Sequence, residues 1–110
     1  MDKKKVKEAM VSFEKFSNAQ LKILSILIDL SMENEVSISA KTLISLTKFG
    51  VPTVYNALKV LQQNEIISKD FNAANTYQFN IKKINQILEL YEQKKKIVIE
   101  EACAKSTTVK

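Results

Sequence analysis

The stretch 39-SAKTLISLTKFGVPTVYNALKVLQQNEIISKDFNAANTYQFN-80 decides the fold expected for this chain. Ser39 is a residue type that caps helix N-termini, so a short helix is expected to begin after it. Gly50 and Pro52 are the only glycine and the only proline of the chain. Glycine readily takes the positive φ of a sharp turn, and proline is tolerated in the first turn of a helix. The stretch therefore predicts one helix, a turn at Gly50 and a second helix that begins near Pro52.

Apolar residues recur at helical spacing in both helices of this stretch. Those expected to face the core are Leu43, Ile44, Leu46, Val54, Ala57, Leu58 and Leu61. Asn64 is expected to end the second helix in the left-handed conformation. Two short strands follow, one beginning at Ile66 and Ile67 and the other covering 76–80, with the polar segment 70–75 as the tip between them. The predicted order is thus helix, turn, helix and hairpin.

Regular structure is also expected on both sides of this stretch. Apolar residues at a 3.6-residue period predict helices over 5–15 and 18–33, and the alternation at 36–39 predicts a short strand. A last helix is expected over about 81–104. Together these elements predict an α+β fold.

The length and composition fit a single domain with helical appendages. The chain has 110 residues, of which 45% are hydrophobic, which suffices for a core. Residues 17–80 are expected to form the central domain, with an N-terminal helix within 1–16 and a C-terminal helix and frayed tail within 81–110. No apolar run approaches the roughly 18–20 residues that cross a bilayer, and the N-terminus lacks the apolar core of a signal peptide. A cytoplasmic protein without a membrane partner is expected.

The formal net charge of +5 is distributed unevenly. All 17 basic residues are lysine, and the chain contains neither arginine nor histidine. Residues 36–64 contain Lys41, Lys48 and Lys59 but no acidic residue. Local positive potential on a neutral body is typical of a surface that faces nucleic acid, although so few lysines also occur together by chance.

Residues that would support catalysis are missing from the sequence. There is no histidine for acid–base chemistry, no glycine-rich phosphate loop and no carboxylate pair framed by a core. Cys103 is the only cysteine, without a CxxC motif or a histidine nearby, and is interpreted as a small apolar residue near a helix end. We therefore expect a non-enzymatic protein with no cofactor, no metal and no small-molecule ligand.

The segment 50-GVPTVYNALKVLQQNEIISK-69 resembles the recognition helix and first wing strand of winged helix-turn-helix bacterial regulators, of the MarR or replication-initiator kind. The matching features are Thr53-Val54, the Leu58-x-x-Leu61 spacing and the strand start Asn64-Glu65-Ile66-Ile67. The chain departs from the pattern of those families at Asn64-Glu65, where they commonly have glycine. The resemblance covers roughly residues 18–80. It implies a winged helix-turn-helix fold, here with an additional N-terminal helix and a long C-terminal helix.

The resemblance also implies which residues contact double-stranded DNA. The helix over about 52–63 would lie in the major groove, and the wing over about 69–76 would lie on the backbone or in the minor groove. Asn56 could bond adenine N6 and N7, and Thr53 could touch a thymine methyl group or a phosphate. The implied DNA-binding residues are Lys41, Thr42, Lys48, Thr53, Tyr55, Asn56, Lys59, Lys69, Asn72 and Asn75.

Three points of this interpretation stay open in the sequence. The absence of arginine, whose fork commonly contacts guanine, predicts A·T-rich sites, but an A·T-rich genome would explain the same lysine bias. Tyr55 either contacts DNA or packs on its own helix. Phe71, at the tip of the wing, would fold back onto the core, pack against a partner subunit or wedge into the minor groove.

The expected function is sequence-directed DNA binding by a small transcriptional regulator or a plasmid or phage replication-maintenance factor. A homodimer is expected, because a monomer would leave an apolar strip exposed. Its candidate interface consists of the N-terminal helix together with Ile84, Ile87, Tyr91 and Val98 of the last helix. The alternative is a winged-helix protein–protein interaction module in a replication or secretion assembly, which the neutral charge of residues 17–80 favours.

Overall fold

The computed structural model describes the backbone of residues 1–108 and the side chains of residues 1–97. Within these residues the chain is α+β, as the sequence predicts, with five helices and one small antiparallel sheet. The elements are α1 (Lys3–Phe13), α2 (Asn18–Leu30), β1 (Glu35–Ser37), α3 (Ala40–Thr47), α4 (Val51–Gln63), β2 (Ile67–Lys69), β3 (Thr76–Phe79) and α5 (Ile81–Thr108). In the described part of the chain, every helix is too short or too polar to span a bilayer.

Helix α2 begins with a reciprocal cap. The Ser17 hydroxyl accepts a hydrogen bond from the Gln20 backbone N–H at 3.2 Å, and the Gln20 side-chain oxygen accepts one from the Ser17 N–H at 3.0 Å. Both N–H groups would otherwise lack a partner within the helix. This cap fixes the start of the helix that forms the centre of the core.

Ser17→Ala is expected to lower the free energy of unfolding by about 1 kcal/mol, because it removes one half of this cap. Urea denaturation followed by circular dichroism measures the change. Ser45→Ala, at an exposed position of α3, is the matched control and should change the stability by no more than about 0.5 kcal/mol. Equal effects of the two substitutions would show that the cap contributes nothing.

The turn between α3 and α4 differs from the sequence expectation. Gly50 has a φ of −66° and is the N-cap residue of α4, whereas Lys48 takes the left-handed conformation with a φ of 64°. Helix α3 ends at Thr47, whose hydroxyl donates to the Leu43 carbonyl at 2.7 Å and accepts from the Phe49 N–H at 3.2 Å. The prediction of a positive φ at Gly50 is therefore wrong. Pro52 does lie in the first turn of α4, as expected.

The end of α4 also differs from the expectation by one residue. Asn64 has a φ of −88°, and the left-handed residue is Glu65, with a φ of 61°. Asn64 continues the helical hydrogen bonding, since its side-chain amide and its backbone N–H both donate to the Val60 carbonyl, at 2.9 and 3.0 Å. The chain therefore leaves the helix after Asn64, and β2 begins at Ile67.

The sheet has the strand order β1-β3-β2, with both pairs antiparallel. Tyr77 of β3 lies between Val36 of β1 and Lys69 of β2, so these three residues share one face of the sheet. The hydroxyls of Ser37 and Thr76 lie 2.8 Å apart and link β1 to β3. The central strand is thus the second strand of the hairpin.

The core lies between α2, the inner face of α4, the sheet and the packed pair α1 and α5. The predicted stripe of α4 is confirmed, since all four of its residues are buried: Val54, Ala57, Leu58 and Leu61. On α3, Leu43 is buried and Ile44 is half-buried, but Leu46 is 56% exposed. The expectation that Leu46 faces the core is therefore wrong, because α3 is covered by its neighbours on one side only.

Helix α1 packs on α2 and α5 within the same chain. The Lys3 ammonium group donates to the carbonyls of Asp29 and Ser31 at 3.1 and 3.0 Å, and thereby caps the C-terminus of α2. Lys7 forms an ion pair with the Asp29 carboxylate at 2.6 Å, and Lys5 pairs with Glu92 of α5 at 3.0 Å. These contacts hold α1 against the central domain.

The packing of α1 and α5 differs from the subunit interface that the sequence predicts. Ile84 and Ile87 of α5 are 1% and 2% exposed in the single chain, and the Tyr91 hydroxyl donates to the Glu8 carboxylate at 3.4 Å. The expectation that Ile84 and Ile87 face a second subunit is therefore wrong, because other parts of the same chain already cover them. Val98 lies outside the residues whose side chains are described.

Candidate nucleic-acid interface

Helix α3 presents Lys41 and Thr42 at its N-terminal end, and both are exposed. The Ser39 hydroxyl caps the helix by accepting from the Thr42 N–H at 3.1 Å, and it lies 2.9 Å from the Thr42 hydroxyl. This pair of contacts fixes the first turn of α3. Lys41 and Thr42, for which phosphate contacts are predicted, thus lie at a capped and solvent-exposed helix end.

Lys48 lies at the junction of α3 and α4, and its side chain is exposed. Its own backbone N–H donates to the Ile44 carbonyl at 2.8 Å, which holds the residue in the left-handed conformation. Lys48 therefore adds a second exposed lysine to Lys41, at the position where the chain enters α4.

Helix α4 buries an apolar stripe and exposes mainly polar residues, together with Val51 at its start. Thr53, Tyr55, Asn56 and Lys59 are all exposed, while the opposite stripe of the helix is buried. The pairs Thr53–Asn56, Asn56–Lys59 and Tyr55–Lys59 are three or four residues apart, which places the four side chains on one outer half of the helix. All of the α4 residues that the sequence analysis assigned to DNA contact are therefore on the same accessible surface.

The hairpin tip is held by local hydrogen bonds. The Asp70 carboxylate accepts from the Asn72 N–H at 2.9 Å, and the Asp70 N–H donates to the Thr76 carbonyl at 2.9 Å. Asn75 takes a φ of 56°, and its carbonyl accepts from the Ile38 N–H at 2.9 Å. Asn72 and Asn75 are exposed, as expected, but the backbone at Asn75 also shapes the turn itself.

Phe71 is 93% exposed at the hairpin tip. The interpretation in which this ring folds back onto the core of its own chain is therefore wrong. The hydrogen bonds of Asp70 on one side and of Asn72 on the other fix a turn that carries the ring outward. The two remaining interpretations, contact with a partner or insertion into a groove, both need an exposed ring.

Lysines supply the positive charge of this surface, and Asp70 of the hairpin supplies a negative charge. Among the side chains of residues 1–97, the two ion pairs within 4 Å are Lys5–Glu92 and Lys7–Asp29, both of which involve α1. Lys41, Lys48 and Lys59 therefore keep their charge available to an external anion. Surfaces of this kind attract phosphate groups.

A groove of about 640 Å³ separates the outer side of α4 from the hairpin. Its lining residues are Tyr55, Leu58, Lys59, Gln62, Gln63, Lys69 and Tyr77. Lys59 and Lys69 are among the contact residues predicted from the sequence, whereas Gln62, Gln63 and Tyr77 are not. The helical spacing from Lys59 would have found the two glutamines, whereas Tyr77 depends on the strand register opposite Lys69.

Burial of the Tyr77 side chain raises the pKa of its phenol above the usual 10.0, and the nearby Tyr55 contributes to the same shift. The cause is that burial disfavours the phenolate. Tyr77 lines the groove, and its phenol, like that of any tyrosine, is protonated at neutral pH.

A metal site is not formed by the described residues, in which no three histidine, cysteine, aspartate or glutamate side chains come together.

No family model, curated protein sequence or solved structure matches this chain. The interpretation of the surface formed by α3, α4 and the hairpin as a nucleic-acid interface therefore depends on the geometry and charge of that surface.

Proposed function

We propose that this protein is a winged helix-turn-helix that binds double-stranded DNA. The order α2, β1, α3, α4, β2, β3 and the sheet order β1-β3-β2 support the proposal, since α3 and α4 then form the helix-turn-helix and the hairpin forms the wing. In that arrangement α4 is the recognition helix, and its exposed half lies in the major groove.

One observation carries the proposal. The outer half of α4 carries Thr53, Tyr55, Asn56 and Lys59 beside the exposed Val51, its inner half is buried, and no acidic residue occurs between positions 36 and 64. A helix anchored in this way can enter a groove without exposing the core, and the segment 36–64 carries no carboxylate that would repel phosphates. The protein acts by binding and not by catalysis.

The side chains at the start of α4 recognise the DNA sequence. Asn56 can make two hydrogen bonds to adenine, through N6 and N7, and Thr53 can contact a thymine methyl group. Lys41 and Lys48 reach phosphates on either side and position the helix without reading sequence. Because the chain has no arginine to fork onto guanine, the preferred sites are rich in A·T pairs.

The paired variants Asn56→Ala and Lys41→Ala test this assignment. Asn56→Ala should lose about 1–3 kcal/mol of discrimination at one base position and leave the others unchanged. Lys41→Ala should weaken binding to all sequences alike, because a phosphate contact carries no sequence information. Selection of bound sequences from a random duplex pool, followed by titration of the selected and mismatched duplexes, measures both effects. Unchanged selection and affinity in both variants would show that DNA lies on another face.

The biological setting that we propose is cytoplasmic: a small transcriptional regulator, or a plasmid or phage replication-maintenance factor. We also propose a homodimer, because the operators of such proteins commonly have two-fold symmetry. Among the side chains of α5 that the structure describes, up to residue 97, the large apolar ones that remain exposed are Leu90 and Ile97. Sedimentation of the full chain gives the oligomeric state.

A second candidate function is a winged-helix protein–protein interaction module. The exposed Phe71, Leu46 and Val51 favour it, since apolar side chains at a surface contribute to protein interfaces. The neutral charge of residues 17–80 favours it as well. The two functions differ in their response to salt, because only a protein that binds phosphates releases counterions from DNA.

A further inference from the structure

We propose that the groove between α4 and the hairpin holds the sugar–phosphate backbone of one strand of the bound duplex. Lys59 and Lys69 would pair with phosphates from the two walls, and Gln62, Gln63 and the Tyr55 hydroxyl would donate neutral hydrogen bonds. The proposal depends on the duplex binding proposed above. It adds the path of one strand and two contact residues that the sequence analysis did not identify.

The walls of the groove follow from helix and strand geometry. On α4, Lys59 follows Tyr55 by four residues, and Gln62 and Gln63 follow Lys59 by three and four, so these side chains form one row. On the hairpin, Lys69 pairs with Tyr77, and both lie on the face of the sheet that packs toward α4. Each wall therefore supplies one lysine.

The chemistry of the lining residues selects a polyanion. Two ammonium groups, two amides and two phenols line the groove, and no carboxylate lines it. Leu58 is the one aliphatic lining residue, and it is buried. Within the described side chains, neither Lys59 nor Lys69 has an acidic group within 4 Å. The Gln62 amide already donates one N–H to the Leu58 carbonyl at 3.2 Å, which leaves its second N–H for a ligand. A phosphodiester supplies acceptor oxygens for the donors that remain.

The aromatic residues distinguish the backbone of a duplex from a single strand. Binding of single strands relies on successive bases that stack on exposed aromatic rings. Tyr77 is only 9% exposed, so its ring faces are closed to a base, whereas Tyr55 is 58% exposed. With one accessible ring, the groove is suited to phosphates and sugars of a strand whose bases remain paired.

This path orients the protein on its site. The first turns of α4, with Thr53 and Asn56, would face base edges, while the second half of α4 and the base of the wing would hold the strand that borders the same groove. Lys59 and Lys69 would thus contact neighbouring phosphates of one strand, although one belongs to the helix and the other to the wing.

The three tyrosines of the chain provide an internal test. Two of them, Tyr55 and Tyr77, line the groove, while Tyr91 contacts Glu8 between α5 and α1. The full chain with ¹³C-labelled tyrosine rings is titrated with a random-sequence DNA duplex and followed by NMR. The resonances of Tyr55 and Tyr77 should shift and those of Tyr91 should not. Binding that shifts Tyr91 alone, or none of the three rings, would overturn the strand path.

Single charge-removing variants separate this inference from the proposed function. Lys59→Gln and Lys69→Gln should each reduce the slope of log affinity against log salt by about 0.9, the value for one lost phosphate contact. Lys15→Gln, at an exposed position between α1 and α2, is the control and should leave the slope unchanged.

The outcomes of these titrations differ for the two claims. If the wild-type chain binds the duplex and both Lys59→Gln and Lys69→Gln keep its salt slope, as the control does, the proposed strand path is wrong. The proposal that the protein binds DNA is then unaffected. If the wild-type chain does not bind the duplex, both are wrong. If Lys59→Gln and Lys69→Gln weaken only the binding of a single-stranded oligonucleotide, the groove holds an unpaired strand and the duplex assignment is overturned.

Discussion

Leu61→Ala is expected to lower the free energy of unfolding by about 2–5 kcal/mol. Leu61 is fully buried in the last turn of the inner stripe of α4, and α4 packs on α2 and β2. Truncation would remove the buried methyl groups and leave a cavity that rigid neighbours on both sides cannot fill. Urea denaturation followed by circular dichroism measures the loss, with the slope of the transition as a check on two-state behaviour.

The matched control for this substitution is Leu46→Ala. Leu46 is exposed on α3, so the same truncation there should change the stability by no more than about 0.5 kcal/mol. A loss of less than about 1 kcal/mol in Leu61→Ala would contradict the account, because α4 would then not be anchored through its inner face.

Replacement of Lys41, Lys48 and Lys59 together by glutamine is expected to have the largest effect on DNA binding. A hydrogen bond to a charged group contributes about 1.5 kcal/mol, so the affinity for duplex DNA should fall by about tenfold for each lysine. Since none of the three has an acidic partner among the described side chains, the fold itself should be unaffected. Fluorescence anisotropy with a labelled duplex measures the loss.

A second triple variant controls for net charge. Lys4, Lys15 and Lys22 are exposed lysines of α1, the connection after it and α2, outside the proposed interface. Their replacement by glutamine removes the same total charge as the first triple variant. Affinity should fall much less in this control, because steering by net charge is weaker than direct phosphate contact. Equal losses in the two triple variants would show that the lysines of α3 and α4 have no special role.

The α+β class and the order of the elements could be predicted because they depend on local patterns. The stripe of α4 repeats at helical spacing, and proline marks the first turn of that helix. The exposed positions of α4 follow from the same pattern, since the residues between buried ones on an amphipathic helix face solvent. Thr53, Tyr55, Asn56 and Lys59 were therefore correctly placed on the surface, and their contact with DNA stays a prediction.

The turns could not be predicted in detail because their conformation depends on hydrogen bonds and not on residue type alone. The residues with positive φ in the described chain are Glu14, Glu33, Lys48, Glu65 and Asn75, and none of them is glycine. At the end of α3, for example, the Thr47 hydroxyl bonds the Leu43 carbonyl and the Phe49 N–H, and the next residue, Lys48, is left-handed. Preference for glycine at such positions is a tendency that local hydrogen bonding overrides.

The packing of elements that are distant in the sequence could not be predicted from the pattern of apolar residues either. An apolar strip on α5 suggested a second subunit, but it is the chain's own fold that buries Ile84 and Ile87. Periodicity shows that a helix has an apolar face and does not show which element covers it. The Lys69–Tyr77 pairing is a similar case, because the strand register that forms one wall of the groove is a property of the folded sheet.

The salt dependence of binding of the wild-type chain to duplex DNA tests the central claim most directly. Anisotropy titrations with a labelled duplex between about 50 and 200 mM monovalent salt should show log affinity that falls linearly with log salt, with a slope of about −0.9 for each phosphate neutralised. Several contacts, and thus a slope steeper than about −2, are expected from the exposed lysines of α3, α4 and the wing. No measurable duplex binding at the lowest salt would contradict the account.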